Sequence, residues 1–211
     1  MFVKGIMKEA HQCWTASMET PLKDVISKLN QHDIQGMPVV VEGIFKGMVS
    51  KELIYKSFFE SSLTKETFLE QHKVGDVMAH EDLYITESDV FEQTLTTFKG
   101  FPIVAVIGPN SKFLGIVTRY DILEQFESAF GMKKKGVRIA FTSEESEGRI
   151  ARLAEIVKQY HENIISLATF DETAKLARRI VLKIEKKDNI DKFAKKLERS
   201  GFRILDIKED S

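Results

Sequence analysis

The chain has 211 residues, 43% hydrophobic and 30% charged, which is enough for two ordinary domains with real cores. Its formal net charge of -1, with acids and bases interspersed, gives no electrostatic case for nucleic acid or an anionic membrane as partner. No apolar run approaches the ~18 to 20 residues needed to cross a bilayer, and Met1-Phe2-Val3-Lys4-Gly5 does not open a signal peptide, so a cytoplasmic location is expected. Cys13 is the single cysteine, which excludes an internal disulfide and a thiolate zinc cage. The five histidines (His11, His32, His72, His80, His161) lack the two-His helical spacings that hold metal, so no metal site is expected.

In chain order, Val3-Lys4-Gly5-Ile6-Met7 returns as Val74-Gly75-Asp76-Val77-Met78, the first sign of a repeat. Each copy continues with an extended stretch (Cys13 to Ala16, then Leu83 to Thr86) and a helix start at Thr20-Pro21 or Ser88-Asp89. A proline-led strand follows, Pro38 to Val41 and Pro102 to Val106. Glu42-Gly43 is short enough for a tight hairpin into Ile44 to Val49, whereas Gly108 to Ser111 makes a longer return into Lys112 to Val117. Helices begin at Ser50 and Thr118. The order strand, helix, strand, strand, helix thus occurs twice, in residues 1–60 and 74–130, with Ser61 to Lys73 as connector. From Met7 to Pro38 is 31 positions and from Met78 to Pro102 is 24, so the second copy is shortened ahead of its proline.

The segment with most chemical content is Gly115-Ile116-Val117-Thr118-Arg119-Tyr120-Asp121. A hydroxyl and a carboxylate here project from one turn at a helix start. Two sugar hydroxyls can donate to one carboxylate, while a threonine hydroxyl and free helix N–H groups can meet phosphate oxygens. The same Thr118-x-x-Asp121 spacing also suits a capping box, a purely structural alternative.

The doubled pattern, its proline-led hairpins and the endings Gly47-Met48-Val49-Ser50 and Gly115 to Asp121 resemble a tandem pair of CBS domains. The resemblance implies an adenine nucleotide between the repeats, with Thr118 and Asp121 holding ribose and phosphate beside Gly115 and Ile116. It further implies Tyr84, Thr86 and Phe101 near the base, and Arg119 near a phosphate. Phe101 and Tyr84 as core residues, and Arg119 as an ordinary exposed arginine, are the bland alternatives. The first copy has Leu53 where the acid is expected, so one competent cleft is expected.

After a linker at 131–136 with Lys133-Lys134-Lys135, residues 137–211 read as β-α-β-β-α-β, a ferredoxin-like plait. The expected strands are Val137 to Phe141, Asn163 to Phe170, Leu176 to Ile184 and Phe202 to Ile207, with an exposed edge at the third. The expected helices are Arg149 to Tyr160, with Ile150, Leu153, Ile156 and Val157 on its buried face, and Asn189 to Arg199. Placed after a CBS pair, this plait resembles an ACT domain, whose amino-acid ligand sits at the first turn. Glu147, Gly148 and Arg149 stand there, with Glu147 in place of the family's proline, so dimerisation competes with ligand binding as the plait's role. The whole arrangement is similar to the bacterial acetoin-utilisation protein B group.

The fold expected is therefore α+β: two CBS repeats packed about a pseudo-two-fold, then an ACT-like plait. The function implied is non-catalytic regulation, with an adenine nucleotide or adenosyl compound as regulatory ligand and no catalytic cofactor. A homodimer is expected, acting on an unidentified regulated enzyme. A ligand-free structural protein and a small nucleotide- or amino-acid-using enzyme are the alternatives, the latter opposed by the lack of a P-loop, dinucleotide fingerprint or recognisable nucleophile.

Overall fold

The computed structural model describes residues 2–98, 100–144, 146–172 and 177–210. Leu176, at the expected start of the third plait strand, and Glu145 of the first plait turn lie outside them. The chain forms two compact units, Met1–Leu123 and Glu124–Ser211.

In the first unit a 3-10 turn (Val3–Gly5) leads to the two-residue strand β1 (Lys8–Glu9) and a second 3-10 turn (Ala10–Gln12). Helix α1 (Leu22–Gln31), the hairpin β2 (Gly36–Val41) and β3 (Ile44–Ser50), and α2 (Lys51–Phe59) complete the first repeat. The connector holds α3 (Lys65–Gln71), and α4 (Val74–Val77) opens the second repeat. The second repeat continues with β4 (Tyr84–Thr86), α5 (Phe91–Thr97), β5 (Ile103–Ile107), β6 (Phe113–Thr118) and α6 (Arg119–Ala129).

Leu22, Val25 and Leu29 recur at helical spacing, so α1 buries one stripe against Met37, Val39 and Val49 of the hairpin. Glu42 and Gly43 both have positive φ (51° and 78°), as a two-residue hairpin turn matching strand twist requires. The sheets are β1-β6-β5-β4 and β2-β3. The extended stretch at Cys13 to Ala16 is reduced to one parallel bridge, Ala16 to Val39. Part of the difference in spacing is that the prolines are not equivalent, Pro38 being the third residue of β2 and Pro102 standing just before β5, and part is helix length, with 10 residues in α1 against 7 in α5.

The second unit contains β7 (Val137–Glu144), α7 (Arg149–Gln159), β8 (Ile164–Glu172), β9 (Ala177–Ile184), α8 (Ile190–Arg199) and β10 (Arg203–Glu209). Its sheet is antiparallel in the order β10-β7-β9-β8. The third strand, expected at an exposed edge, is internal: the crossover through α7 sets β8 one place away from β7, and β9 returns by hairpin into the gap. The edges are β8 and β10. Leu153, Ile156 and Val157 of α7 and Phe193 and Leu197 of α8 pack on Ile139, Phe141, Ile180 and Leu182. Ile150, expected on that buried face, is 42% exposed because it sits in the first turn, beyond the sheet's cover.

Candidate functional site

The first unit encloses a cleft of about 590 Å³ between its two repeats. The second repeat contributes Ile116, Thr118, Arg119 and Tyr120 from the end of β6 and the start of α6, with Gly100 and Pro102. The first contributes the lead-in residues Lys8, Gln12, Cys13 and Trp14 and the turn from Asp33 to Gly36. Two pieces of backbone bring these groups together. β1 pairs antiparallel with β6, Lys8 opposite Ile116 and Glu9 opposite Gly115. At Gly115 a Cβ would stand 2.0 Å from the Lys8 carbonyl oxygen, so the close approach of β1 requires glycine.

Trp14 is half exposed and stacks on His32, with ring centroids 3.9 Å apart and planes 14° from parallel. Trp14, backed by the imidazole, lines the cleft. Lys8 and Arg119 add cationic groups, and the Arg119 guanidinium lies 5.7 Å from the Phe98 ring centroid. Cys13 Sγ donates to the carbonyls of Lys8 and Glu9 at 3.4 and 3.2 Å. Burial pushes its pKa up, which favours the neutral thiol over a nucleophilic thiolate.

Thr118 and Asp121 form a reciprocal capping box. The Thr118 N–H donates to Asp121 Oδ2 at 2.8 Å, and the Asp121 N–H donates to Thr118 Oγ1 at 3.1 Å. In the first repeat Ser50 caps α2 alone, its Oγ accepting the Leu53 N–H at 3.1 Å. A carboxylate offers about four acceptor sites, so capping through one oxygen is compatible with a further donor on the other.

Ile116, Thr118 and Arg119 therefore line the cleft, Gly115 lies behind them against Lys8, and Asp121 braces the helix start. The remaining base-pocket candidates lie outside the lining. Tyr84 makes an edge contact with Phe45, centroids 6.5 Å apart. The Thr86 N–H donates to Asp89 Oδ2 at 2.7 Å in the turn before α5. Phe101 is buried against Gly36 and His80. Sequence reasoning missed Lys8 and Trp14 as cleft groups, and His32 as the ring that backs Trp14. The one available signal was a lone tryptophan in a short polar stretch.

In the second unit, Glu147 and Arg149 line a hollow of about 440 Å³ with Ser143, Ser146 and Arg178. Gly148 takes φ 78° at the start of α7. Arg149 is engaged within the fold: Nε–H donates to Ser143 Oγ at 2.6 Å, Nη1 and Nη2 to the Ser200 and Gly201 carbonyls at 3.3 and 2.6 Å, and the guanidinium covers Phe202. It ties the first plait turn to the end of α8. Among the described residues no group of three or more His, Cys, Asp or Glu could hold a metal ion, and no helix is long and apolar enough to cross a membrane.

Two β-α-β-β-α repeats enclosing such a cleft, followed by a plait, define a CBS-domain pair with an ACT-like domain. Family models agree: the CBS domain matches residues 3–59 and 74–128, and a TTHA0829-like ACT domain matches residues 135–208. The chain belongs to the CBS-domain family. No curated protein matches it. Among solved structures, a CBS domain-containing protein of unknown function from Bacillus anthracis is 22% identical, with 60% of this chain and 93% of that one covered and a TM-score of 0.55. The Listeria monocytogenes CbpB protein in complex with c-di-AMP is 24% identical, covering 57% and 91%, TM-score 0.51. The protein CBSX2 in complex with AMP is 21% identical, covering 59% and 95%, TM-score 0.50.

Proposed function

We propose that this chain is a non-catalytic, cytoplasmic regulatory protein that binds an adenine nucleotide in the cleft between its repeats and passes the signal on through its ACT-like domain. The observation that carries this reading is the juxtaposition of the Trp14–His32 stack with the start of α6 and the cationic side chains of Lys8 and Arg119. A flat base suits the rings, the phosphate suits the cations and the helix N–H groups, and the ribose suits Thr118 and Asp121. The base is assigned to Trp14 because Tyr84, Thr86 and Phe101 lie outside the lining. The cleft's 590 Å³ falls within the usual ~300–1,000 Å³ of small-molecule sites. The complexes of CBSX2 with AMP and of CbpB with c-di-AMP support an adenine ligand for this fold.

The ACT-like unit, with Arg149 occupied internally, serves as a dimerisation plait, giving a homodimer that acts on a partner enzyme. Membership of the acetoin-utilisation protein B group is consistent with the domain order. The test is a titration of the pure protein with AMP, ADP, ATP, c-di-AMP and S-adenosylmethionine, read by the fluorescence of Trp14, the single tryptophan, and by melting temperature. At a hundred times its dissociation constant the right ligand adds about 2.7 kcal/mol of stability. If every compound leaves both signals unchanged, the nucleotide reading fails.

A further inference from the structure

The ACT-like sheet has a second face, away from α7 and α8, that the nucleotide reading does not use. Strand alternation places Arg138, Ala140 and Thr142 of β7 on it, in register with Lys183, Val181 and Arg179 of β9. Ser166, Ala168 and Phe170 of β8 continue the same rows. Small side chains in the middle row leave a floor, and the larger residues around it form a hollow of about 480 Å³. Its contents fall into two groups. Phe130, Met132, Phe170 and Val181 are apolar; Arg138, Arg179 and Lys183 are cationic, with Asp210 the one acid of the lining.

This hollow is built rather than incidental. The Phe130 and Phe170 rings lie 7° from parallel with centroids 6.4 Å apart, an offset-stacked wall. That wall is fixed in place, since Ser166 Oγ donates to the Phe130 carbonyl at 2.9 Å. Lys183, with only 8% of its side chain exposed, donates to the Gly131 carbonyl at 2.9 Å and pairs with Asp210 Oδ2 at 2.5 Å. Arg138 meets Asp206 of β10 at 3.3 Å. Burying a lysine in a sheet floor is costly unless a charge partner meets it, and Asp210 meets Lys183 here.

We propose that this hollow binds a small organic anion with a flat apolar body. The acidic group meets the Arg138 and Arg179 guanidiniums, which suit planar carboxylate or phosphate oxygens, and the body lies over Val181 against the Phe130–Phe170 wall. The site is separate from the nucleotide cleft and does not depend on it.

The test is a titration of the full ¹⁵N-labelled chain with 2-naphthoate and, in parallel, with neutral 2-naphthamide. Saturable amide shifts are expected at Met132, Ser166, Phe170 and Lys183, with the acid bound about tenfold or more tightly than the amide. R179Q and F170A, whose side chains stand at the solvent edge, each weaken naphthoate binding while the rest of the spectrum overlays the wild type. Equal binding of acid and amide, or shifts that survive both substitutions, overturns the proposal. So do shifts confined to the Trp14 cleft, and so does the absence of any shift. If F170A instead changes the oligomeric state in light scattering and naphthoate does not bind, the face is an interface between copies and the proposal is wrong.

Discussion

Asp121→Ala separates the capping role that the geometry shows from the ribose-binding role proposed for this carboxylate. In the free protein Asp121 Oδ2 accepts the Thr118 N–H at 2.8 Å, one half of a capping box. Removing a capping side chain typically costs about 1 kcal/mol, so the ligand-free protein should lose about 2–4 °C in melting temperature. If Asp121 also accepts ribose hydroxyls, AMP binding loses hydrogen bonds to a charged acceptor, worth about 1.5–3 kcal/mol, and its dissociation constant rises about 10- to 150-fold. Calorimetry with AMP and 2′-deoxyAMP on both proteins distinguishes the contributions. The wild type should prefer the ribonucleotide, and the variant should lose most of that preference. An unchanged AMP affinity alongside the small fall in melting temperature would show that Asp121 is a cap and nothing more.

Gly115→Ala places a methyl group 2.0 Å from the Lys8 carbonyl, so β1 must leave β6 and carry Lys8 and Trp14 with it. A loss of about 1–3 kcal/mol in urea denaturation and weakened AMP binding are expected; wild-type stability would contradict the close seating of β1. The Cys13 thiol, its pKa raised by burial, should react with iodoacetamide at neutral pH more slowly than free cysteine, and AMP should slow it further. A rate indifferent to AMP argues against an occupied cleft. The hydrogen bond from Lys183 holds the Asp210 carboxyl below the usual carboxylate range. Its contribution to stability is therefore present above the ordinary carboxylate pKa, about 3.9, and is lost as pH falls through the lower folded value. Asp210→Asn should melt below the wild type at pH 7, with the gap closing in strong acid; a gap that persists there would place the stabilisation elsewhere.

The repeat, its two hairpins and the plait were legible because each rests on a local pattern, although the first hairpin strand begins at Gly36, two residues ahead of Pro38. The Glu42-Gly43 turn, the α1 stripe and the alternation of β7 are all set by residues close in sequence. Thr118 was legible for the same reason, as a motif at a strand end. The hidden features are non-local. A two-residue strand such as β1 has no periodicity, and its partner lies more than a hundred residues away, so nothing in Lys8-Glu9 announces that it brings Trp14 to the cleft. The internal position of β9 was hidden likewise, because strand order in a sheet is set by the crossover and not by sequence order. Phe101 and Tyr84 carry the right chemistry for a base pocket, and only packing shows them turned to other neighbours.

The two glycines inside the second hairpin strands tie these observations together. Gly115 faces the Lys8 carbonyl, and Gly47 faces the Ala79 carbonyl, where a Cβ would stand only 2.8 Å away. Met48 and Ala79 exchange backbone hydrogen bonds of 2.7 and 3.0 Å, as β1 pairs with β6. Met7-Lys8 and Met78-Ala79 are thus equivalent: each repeat sends its opening segment across to the other repeat's second hairpin strand, and each landing point requires glycine. Beyond those crossings the repeats diverge. After Lys8 the chain takes a 3-10 turn and the Cys13-Trp14 stretch before its bridge at Ala16, whereas after Ala79 it reaches β4 at Tyr84 within a few residues. The longer lead-in crosses to the repeat whose helix start carries Asp121, and the shorter one to the repeat that carries Leu53. The length asymmetry and the missing acid therefore fall on matching sides of one pseudo-two-fold arrangement, which is why the aromatic surface and the Thr118–Asp121 turn belong to the same half of the molecule.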